Sequence, residues 1–446
     1  MAEDKMKKKG LILLAGVCSG VLLAVAAFLS TVWGFEEMKA ETGGFPLFSY
    51  SIPFKDDSDR LTLVVLKKGR YQFNVNVRLL AGSLSVSVAD EVGTHLVSIE
   101  GSRLKMNRSI ELDKGVYTLE LDFNDAFPAK AVLGMESPDA SEYFIASDLD
   151  IERLEKIEEN DEKGFSWPYY LYTPEKVTTP HLLVSVNNSG IVSDSMALHD
   201  ALARNLVQRL ASMADTLECP LLMPIFPRWE ATEKIYTHAL DRDSLSLTEG
   251  DLKRLDLQLL AMAEDAQKRL MEGGTGLEDG LLLFGYSASA MFANRFTLLH
   301  PEKVTAAAVG SPGGWPIAPV EAYEGESLLY PVGMADLPAL VSERMNLKAF
   351  TEVPQYFFIG GEDNNDSVPY EDSFDPPAAN QVNRLFGDTP LLRWPHAEAL
   401  YESIGANSRF EVYPGVGHVF TAEMEAEVTA FYRNACKNQP VPSPVP

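Results

Sequence analysis

The chain of 446 residues is too long for one ordinary hydrophobic core, so we expect more than one folded domain. A hydrophobic content of 46% and a charged content of 23% are typical of a globular protein. The 38 basic and 64 acidic residues give a formal net charge of −26, which argues against nucleic acid as a partner because phosphates would be repelled.

The N-terminal residues 1–35 have the pattern of a signal-anchor or a signal peptide. Four lysines at positions 5, 7, 8 and 9 precede Leu11–Trp33, a run without a charged residue that is long enough to span a bilayer. If the segment is a signal-anchor, the lysines stay in the cytoplasm. If it is a signal peptide, Ala24-Val25-Ala26 is the cleavage site. Either alternative predicts a protein that is anchored to the cell membrane with its bulk outside, or is secreted.

Short runs with alternating polar and apolar residues fill residues 45–134, for example YQFNVNVRL and SLSVSVA. This period of two, interrupted by turn residues, predicts antiparallel strands and a small β-sandwich-like domain. The layout resembles the small sandwich modules attached to secreted hydrolases, which implies either a spacer or a polymer-binding role.

An acidic linker is predicted for residues 135–165. Its IERLEKIEENDEK segment combines helix-forming residues with mixed charges, which favours a short solvated helix. The last ten residues, 437–446, contain the proline-rich sequence QPVPSPVP and predict a disordered tail.

Residues 166–436 alternate between strand-like and helix-like segments. Apolar runs such as HLLVSV, PLLMPIF and TAAAVG are separated by amphipathic stretches such as LHDALARNLVQRLASMAD. Alternation of this kind predicts a mostly parallel sheet with helices on both faces, the α/β class.

The stretch Gly280–Ala290, GLLLFGYSASA, stands out within this domain. An apolar run passes into small residues around Ser287, and a helix-like segment follows. A nucleophilic serine requires this strand, sharp turn and helix, with small residues two positions before and after it. Ser289 occupies the second small position where a glycine is usual, and a serine still fits.

Three polar residues follow predicted strands in the order serine, acid, histidine: Ser287, an aspartate after FFIGG, and His418 after VYPGVG. This part of the chain resembles the α/β-hydrolase superfamily of serine hydrolases, and the layout is similar to the feruloyl esterase and polyhydroxyalkanoate depolymerase branches. The resemblance implies that Ser287 is the nucleophile and His418 the general base. The acid is Asp363, which has the G-x-x-D spacing after Gly360, or Asp366.

The resemblance also implies an oxyanion hole. The amide of Ala288, directly after the nucleophile, is the first expected donor. The second is the amide of Ser189, in the NNSG loop that corresponds to the HG-x-G of relatives, with the Asn188 side chain as a further donor.

Three other residues are candidates for substrate contact. Arg228 and His238 belong to a segment rich in aromatic and charged residues between two predicted strands, and an Arg–Asp pair that staples the loop is an equal alternative for it. Trp315 follows SPGG and would form an apolar pocket wall.

The sequence favours an extracytoplasmic hydrolase of carboxylic esters, acting on a small-molecule or polymeric ester. The alternatives are a serine peptidase of the same fold and a catalytically silent surface binding protein. No cysteine and histidine spacing indicates a metal site, no organic cofactor is indicated, and a Cys219–Cys436 bridge stays open. The oligomeric state is not indicated.

Overall fold

The computed structural model describes residues 45–52, 55–127, 129–136, 143–147, 153–188, 190–370 and 373–437. The chain divides into two compact units, Met1–Leu149 and Asp150–Pro446, and each has its own sheets. The predicted signal-anchor or signal peptide and residues 438–446 of the predicted tail lie outside the described residues. Within the described ranges, no helix is both long enough and apolar enough to cross a membrane.

The smaller unit consists of two antiparallel sheets. Its described strands are β1 (Phe45–Ile52), β2 (Ser58–Val65), β3 (Gly69–Arg78), β4 (Ala81–Asp90), β5 (His95–Gly101), β6 (Arg103–Leu112), β7 (Gly115–Phe127), β8 (Ala129–Glu136) and β9 (Tyr143–Ser147). The strand orders are β1-β8-β3-β6 and β5-β4-β7-β2-β9. Along β4, Leu84, Val86 and Val88 are buried and the residues between them are not, as alternation requires. Side chains of both sheets share one core, so the unit is a β-sandwich.

The predicted acidic linker contains regular structure. Its start overlaps β8, and β9 pairs with β2 of the smaller unit. The short helix expected in its second half is instead β10 (Leu154–Ile157), an edge strand of the larger unit, followed by a 3-10 turn at Asp161–Lys163. Leu154 and Ile157 pack into cores on opposite faces of the sheet. Residues three apart lie on opposite faces of a strand but on the same side of a helix. The three-residue spacing of Leu154 and Ile157 in the sequence is therefore compatible with either structure.

The larger unit alternates strands and helices. Its strands after β10 are β11 (Tyr169–Tyr172), β12 (Leu182–Ser185), β13 (Leu221–Pro224), β14 (Leu281–Tyr286), β15 (Val304–Gly310), β16 (Ala322–Tyr323), β17 (Glu326–Ser327), β18 (Gln355–Gly360) and β19 (Ser408–Tyr413). Its helices are α1 (Met196–Leu217), α2 (Arg242–Ser246), α3 (Leu255–Glu272), α4 (Ala288–Leu299), α5 (Leu337–Val341), α6 (Leu347–Glu352), α7 (Pro376–Phe386), α8 (Pro390–Ser403) and α9 (Ala422–Lys437).

The main sheet of this unit has eight strands in the order β10-β11-β13-β12-β14-β15-β18-β19. Strand β11 runs antiparallel to both of its neighbours. The six strands that follow it in the sheet, β13, β12, β14, β15, β18 and β19, run parallel to one another. Parallel strands end at the same edge of a sheet. The loops that follow β12, β14, β15, β18 and β19 therefore lie together at the carboxyl edge, where ligands bind in open α/β sheets.

Helices cover both faces of this sheet. Side chains of α3, α4 and α8 belong to the core on one face, and side chains of α1 and α9 belong to the core on the other. Strand β14 shows the consequence, since Leu281 and Leu283 point to one core while Leu282 and Phe284 point to the other. Burial on both sides explains why the central strands are continuous apolar runs rather than alternating ones.

The two described cysteines, Cys219 and Cys436, are free thiols. Both pack against the core under α1 and α9, and burial raises the pKa of Cys219 to about 12. The cysteines therefore act as small apolar residues of this core.

Candidate active site

Ser287 occupies a strained turn between β14 and α4. Its backbone has φ +62° and ψ −125°, a region that residues with a side chain rarely adopt. The strand and the helix cross so closely that a Cβ on Gly285 would lie 2.3 Å from the Ser289 carbonyl oxygen and 2.5 Å from Cα of Ala290. Glycine is therefore required at position 285, and the turn projects the serine out of the sheet edge.

Ser289 replaces the second glycine of the usual motif without opening the turn. Its hydroxyl accepts a hydrogen bond from the Tyr286 N–H and donates to the Tyr286 carbonyl, each at 3.0 Å. The extra hydroxyl therefore braces the residue that precedes Ser287.

His418 and Asp363 meet at the carboxyl edge of the sheet, after β19 and β18. Nδ1 of His418 lies 2.9 Å from Oδ2 of Asp363, and Asp363 is only 2% exposed. Burial alone would raise the pKa of Asp363. Hydrogen bonds from His418 and from the Asn365 N–H outweigh burial and hold that pKa below its ordinary value. The carboxyl group is therefore ionised at neutral pH.

Asp366, the alternative acid, has a different partner. Its Oδ1 accepts hydrogen bonds from Nη1 of the buried Arg393 at 2.8 Å and from the Val368 N–H at 3.0 Å. Arg393 also donates to the Gly314 carbonyl, so the pair ties α8 to the loops after β15 and β18. The hydrogen bond to His418 is made by Asp363.

Three residues that the sequence did not single out complete the surroundings of His418. The ring of Tyr286 lies 5.1 Å from the imidazole, centroid to centroid, which brings His418 beside the serine turn because Tyr286 directly precedes Ser287. Nδ2 of Asn365 lies 3.2 Å from Nε2 of His418. Ser311, directly after β15, donates from Oγ to the Tyr286 hydroxyl oxygen at 3.3 Å. Position directly after a strand of the parallel sheet is the signal that finds Ser311.

The structure assigns different positions to the predicted oxyanion donors. Ala288 is the first residue of α4, and the first N–H groups of a helix have no partner within it. Nδ2 of Asn188 donates to the Tyr286 carbonyl at 2.6 Å, so this amide holds the loop after β12 against the serine turn. Ser189 lies outside the described residues.

Arg228 and His238 are buried in the loop structure after β13. Arg228 stacks over the Tyr236 ring at 4.0 Å and donates to the carbonyls of Glu233 and Gly190. His238 is fully buried, and burial lowers its pKa to about 3. Its Nε2 lies 2.8 Å from the Phe226 carbonyl oxygen. In these positions Arg228 and His238 support the loops after β13, and substrate contact by either residue stays a prediction.

Trp315 belongs to a core. It has no exposed surface, donates from its indole N–H to the Val332 carbonyl at 2.9 Å, and stacks on Phe386 at 4.2 Å. Substrate contact by Trp315 stays a prediction. Across the described ranges, no group of three His, Cys, Asp or Glu side chains is placed to hold a metal ion.

The sheet of the larger unit, the helices on it and the serine turn together determine the fold of this unit. Eight strands with one antiparallel member, helices on both faces, and a strained serine between β14 and α4 occur together at one sheet. The larger unit has an α/β-hydrolase-like fold. Ser287, Asp363 and His418 follow β14, β18 and β19, in the chain order nucleophile, acid, histidine of α/β-hydrolases.

Neither a protein-family model nor a curated protein sequence matches the chain. Among solved structures, it is similar to poly(aspartic acid) hydrolase-1 from Sphingomonas sp. KT-1, with 19% identity over 62% of this chain and 95% of that one and a TM-score of 0.41. A poly(3-hydroxybutyrate) depolymerase from Bordetella parapertussis is similar over 63% of this chain and 86% of that one, with 17% identity and a TM-score of 0.39. An S-formylglutathione hydrolase from Agrobacterium tumefaciens is similar over 64% and 94%, with 12% identity and a TM-score of 0.36.

Proposed function

We propose that the larger unit is a serine hydrolase that cleaves a carboxylic ester through an acyl-enzyme on Ser287, with His418 and Asp363 completing the triad. One observation carries the proposal. His418 is hydrogen-bonded through Nδ1 to a buried carboxylate, beside a strained serine at the same edge of the sheet. The strained serine and the histidine–carboxylate pair together form the arrangement that an activated serine nucleophile requires.

In the proposed reaction, Oγ of Ser287 attacks the ester carbonyl carbon while Nε2 of His418 takes the hydroxyl proton. The tetrahedral intermediate then expels the alcohol, which receives that proton, and an acyl-enzyme remains. A water molecule deprotonated by the same imidazole attacks the acyl group and releases the acid. Asp363 stays ionised and keeps the remaining imidazole proton on Nδ1, which its lowered pKa supports.

The carbonyl oxygen gains negative charge in both tetrahedral intermediates. We assign its first hydrogen bond to the Ala288 N–H at the start of α4, where the helix dipole also favours an anion. The second remains assigned to the Ser189 N–H, with the Asn188 side chain holding that loop beside the turn.

Labelling with a fluorophosphonate probe tests the nucleophile. Wild type is expected to label on one serine, and Ser287→Ala is expected to lose the label. Ser289→Ala is the positional control and is expected to label, because its hydroxyl is bonded to the Tyr286 backbone. A folded Ser287→Ala protein that labels like wild type would contradict the mechanism.

A substrate panel separates the reaction classes. We expect turnover of p-nitrophenyl esters of short to medium acyl length and little turnover of aminoacyl amides. Faster cleavage of the amides would support the peptidase alternative, and labelling of Ser287 without turnover of either class would support the binding-protein alternative.

We further propose that catalysis takes place outside the cytoplasm, with residues 1–35 as anchor or signal peptide. The support is the sequence pattern of lysines followed by Leu11–Trp33. The test is protease shaving of intact cells that express the full chain with a C-terminal tag. Protection of the tag in intact cells, followed by digestion after lysis, would contradict this location.

A further inference from the structure

Phe420 belongs to the His418 segment, residues 414–421 between β19 and α9, and the proposed reaction does not use it. It lies two residues after His418. Its ring packs against three other rings, with centroid distances of 5.1 Å to Phe284, 5.7 Å to Tyr286 and 6.0 Å to Phe358. Phe284 and Tyr286 belong to β14 and Phe358 belongs to β18, so one side chain contacts two strands of the sheet.

These two strands carry the other two members of the proposed triad. Ser287 directly follows β14, and Asp363 follows the last residue of β18 by three positions. The contacts of Phe420 therefore join the segment that carries the histidine to both strands that carry the nucleophile and the acid. A displacement of the Phe420 ring would change the position of His418 relative to both.

The rings of β14 and β18 meet over β15, which lies between these strands in the sheet. Tyr286, Gly310 and Phe358 form one row across the three strands. A Cβ on Gly310 would lie 2.4 Å from Cζ of Phe358 and 2.7 Å from Cδ2 of Tyr286. The absence of a side chain at position 310 therefore leaves the space in which both rings pack, 6.3 Å apart. Phe284, Tyr286 and Phe358 together form an aromatic platform for Phe420.

Backbone contacts hold the opposite end of the His418 segment. The Glu362 N–H donates to the Val416 carbonyl at 2.8 Å, and a Cβ on Gly360 would lie 2.2 Å from the same carbonyl oxygen. The loop after β18 is thus packed directly against the segment two residues before His418. Phe420 lies two residues after His418, so the histidine has one fixed point on each side.

We propose that Phe420 is a positioning residue of the triad, which anchors the His418 segment on the aromatic platform and keeps the imidazole beside the serine turn. The proposal rests on the function proposed above. The Tyr286 ring provides the link, since it lies 5.7 Å from the Phe420 ring and 5.1 Å from the imidazole. A reacting group must be held within roughly 0.5 Å of its productive position, and a packed ring with few rotatable bonds provides that restraint.

The test uses Phe420→Ala and Phe420→Leu in the full-length protein, with Phe431→Ala as the matched control. Phe431 on α9 is a partly buried phenylalanine that packs against the same core as Phe420. Its ring contacts Tyr356 at 5.6 Å and Tyr432 at 5.4 Å. The control variant therefore removes an equal ring from that core and leaves Phe420 with its three ring contacts.

Phe420→Ala is expected to lower kcat for an ester by roughly 10- to 100-fold, because the imidazole is no longer held in place. Phe420→Leu should have a smaller effect in the same direction, since leucine fills part of the space without the ring contacts. KM should change much less than kcat, because the same imidazole serves acylation and deacylation and both steps slow together. Phe431→Ala should lower the urea midpoint of unfolding but keep kcat per active site, counted by active-site titration.

NMR of protein with labelled histidines gives a readout that does not require turnover. The imidazole resonances of His418 are identified by their absence in His418→Asn. They are expected to shift in Phe420→Ala, because the imidazole moves relative to the Tyr286 ring, whose ring current acts on its protons. They are expected to stay unchanged in Phe431→Ala, in which the Tyr286 contact is retained.

The readouts separate this proposal from the proposed function. If wild type fails to label with fluorophosphonate, the proposed function fails, and the His418 resonances still test the anchor, which an unchanged spectrum of Phe420→Ala would overturn. If wild type labels, wild-type kcat in Phe420→Ala overturns the positioning role. An equal loss of kcat in Phe431→Ala would also overturn it, since general loosening of the core would then explain the effect. If Phe420→Ala does not fold, Phe420→Leu is compared with the control in the same way.

Discussion

Two histidine–aspartate pairs in the larger unit make the same contact in different surroundings. His418 and Asp363 are 2.9 Å apart, and His300 and Asp256 are 2.8 Å apart. Asp256 also accepts two hydrogen bonds from Arg254, at 3.0 Å and 2.8 Å, and is completely buried. The contact alone therefore does not identify a catalytic site.

The nitrogen that each histidine uses distinguishes the two pairs. His418 binds its carboxylate through Nδ1, which leaves Nε2 next to Nδ2 of Asn365, 3.2 Å away. His300, at the end of α4, uses Nε2 itself, and its carboxylate is neutralised by Arg254. The proposed reaction uses Nε2 of His418 for proton transfer, whereas the His300 pair joins the end of α4 to the start of α3. Ser287 directly precedes α4 and His300 directly follows it.

The largest expected effect comes from exchanging the two aspartates for asparagine. Asp363→Asn should lower kcat for an ester by about 10³- to 10⁴-fold, because the imidazole loses the partner that fixes its tautomer. Asp256→Asn should leave kcat per folded molecule close to wild type. Both are measured by initial rates with active-site titration.

Asp366→Asn is the control within the same loop. Its carboxylate pairs with Arg393, so we expect a loss of stability and retention of kcat. If Asp366→Asn loses as much turnover as Asp363→Asn, the assignment of the acid is wrong.

The loss of folding stability should be larger in Asp256→Asn than in Asp363→Asn, the reverse of the order expected for the loss of kcat. Asp256→Asn leaves the Arg254 guanidinium, 15% exposed, without its carboxylate, and a broken buried ion pair typically costs about 3–5 kcal/mol. Asp363→Asn replaces a hydrogen bond to a carboxylate with one to a neutral amide, which costs about 1–2 kcal/mol. Urea unfolding followed by circular dichroism compares them. Equal losses in the two variants would remove the distinction between a structural and a catalytic pair.

The pH dependence of unfolding is a further test of the structural role of Asp256. Burial alone would raise the pKa of Asp256, but hydrogen bonds from His300 and Arg254 outweigh it and lower that pKa in the folded protein. A lowered folded pKa contributes stability above the unfolded value of about 4, and that stability is lost as the pH falls through the folded pKa. The difference in unfolding free energy between pH 5 and pH 3 should therefore be smaller in Asp256→Asn than in wild type. An unchanged difference would show that Asp256 does not titrate in this way.

Local patterns predicted most of the larger unit. The serine turn was found because its requirements are local, namely an apolar strand, small residues at 285 and 289, and a helix. His418 was found because it follows the last strand of a parallel sheet. The choice between Asp363 and Asp366 was not local. Arg393, which pairs with Asp366, lies on α8, 27 residues further along the chain, and no local pattern around the two aspartates indicates that contact.

The burial of the three substrate-contact candidates has a common physical origin in long-range packing. Trp315 stands in a glycine- and proline-rich loop, which suggested a pocket wall. Its indole is covered by α7 and bonded to the Val332 carbonyl. Arg228 and His238 carry polar groups that suggested substrate contact, yet their partners are backbone carbonyls of neighbouring loops. A single sequence does not encode such contacts at any fixed spacing.

The smallest expected effect concerns Asn365, which lies on the other side of the His418 imidazole from Asp363. Its Nδ2 is 3.2 Å from Nε2 of His418, so the amide holds the ring at the nitrogen that the carboxylate does not contact. Asn365→Ala should change kcat/KM by less than about tenfold, because an exposed side chain loses one neutral hydrogen bond. Initial rates with the same ester measure the change, and a loss as large as that of Asp363→Asn would contradict this ranking.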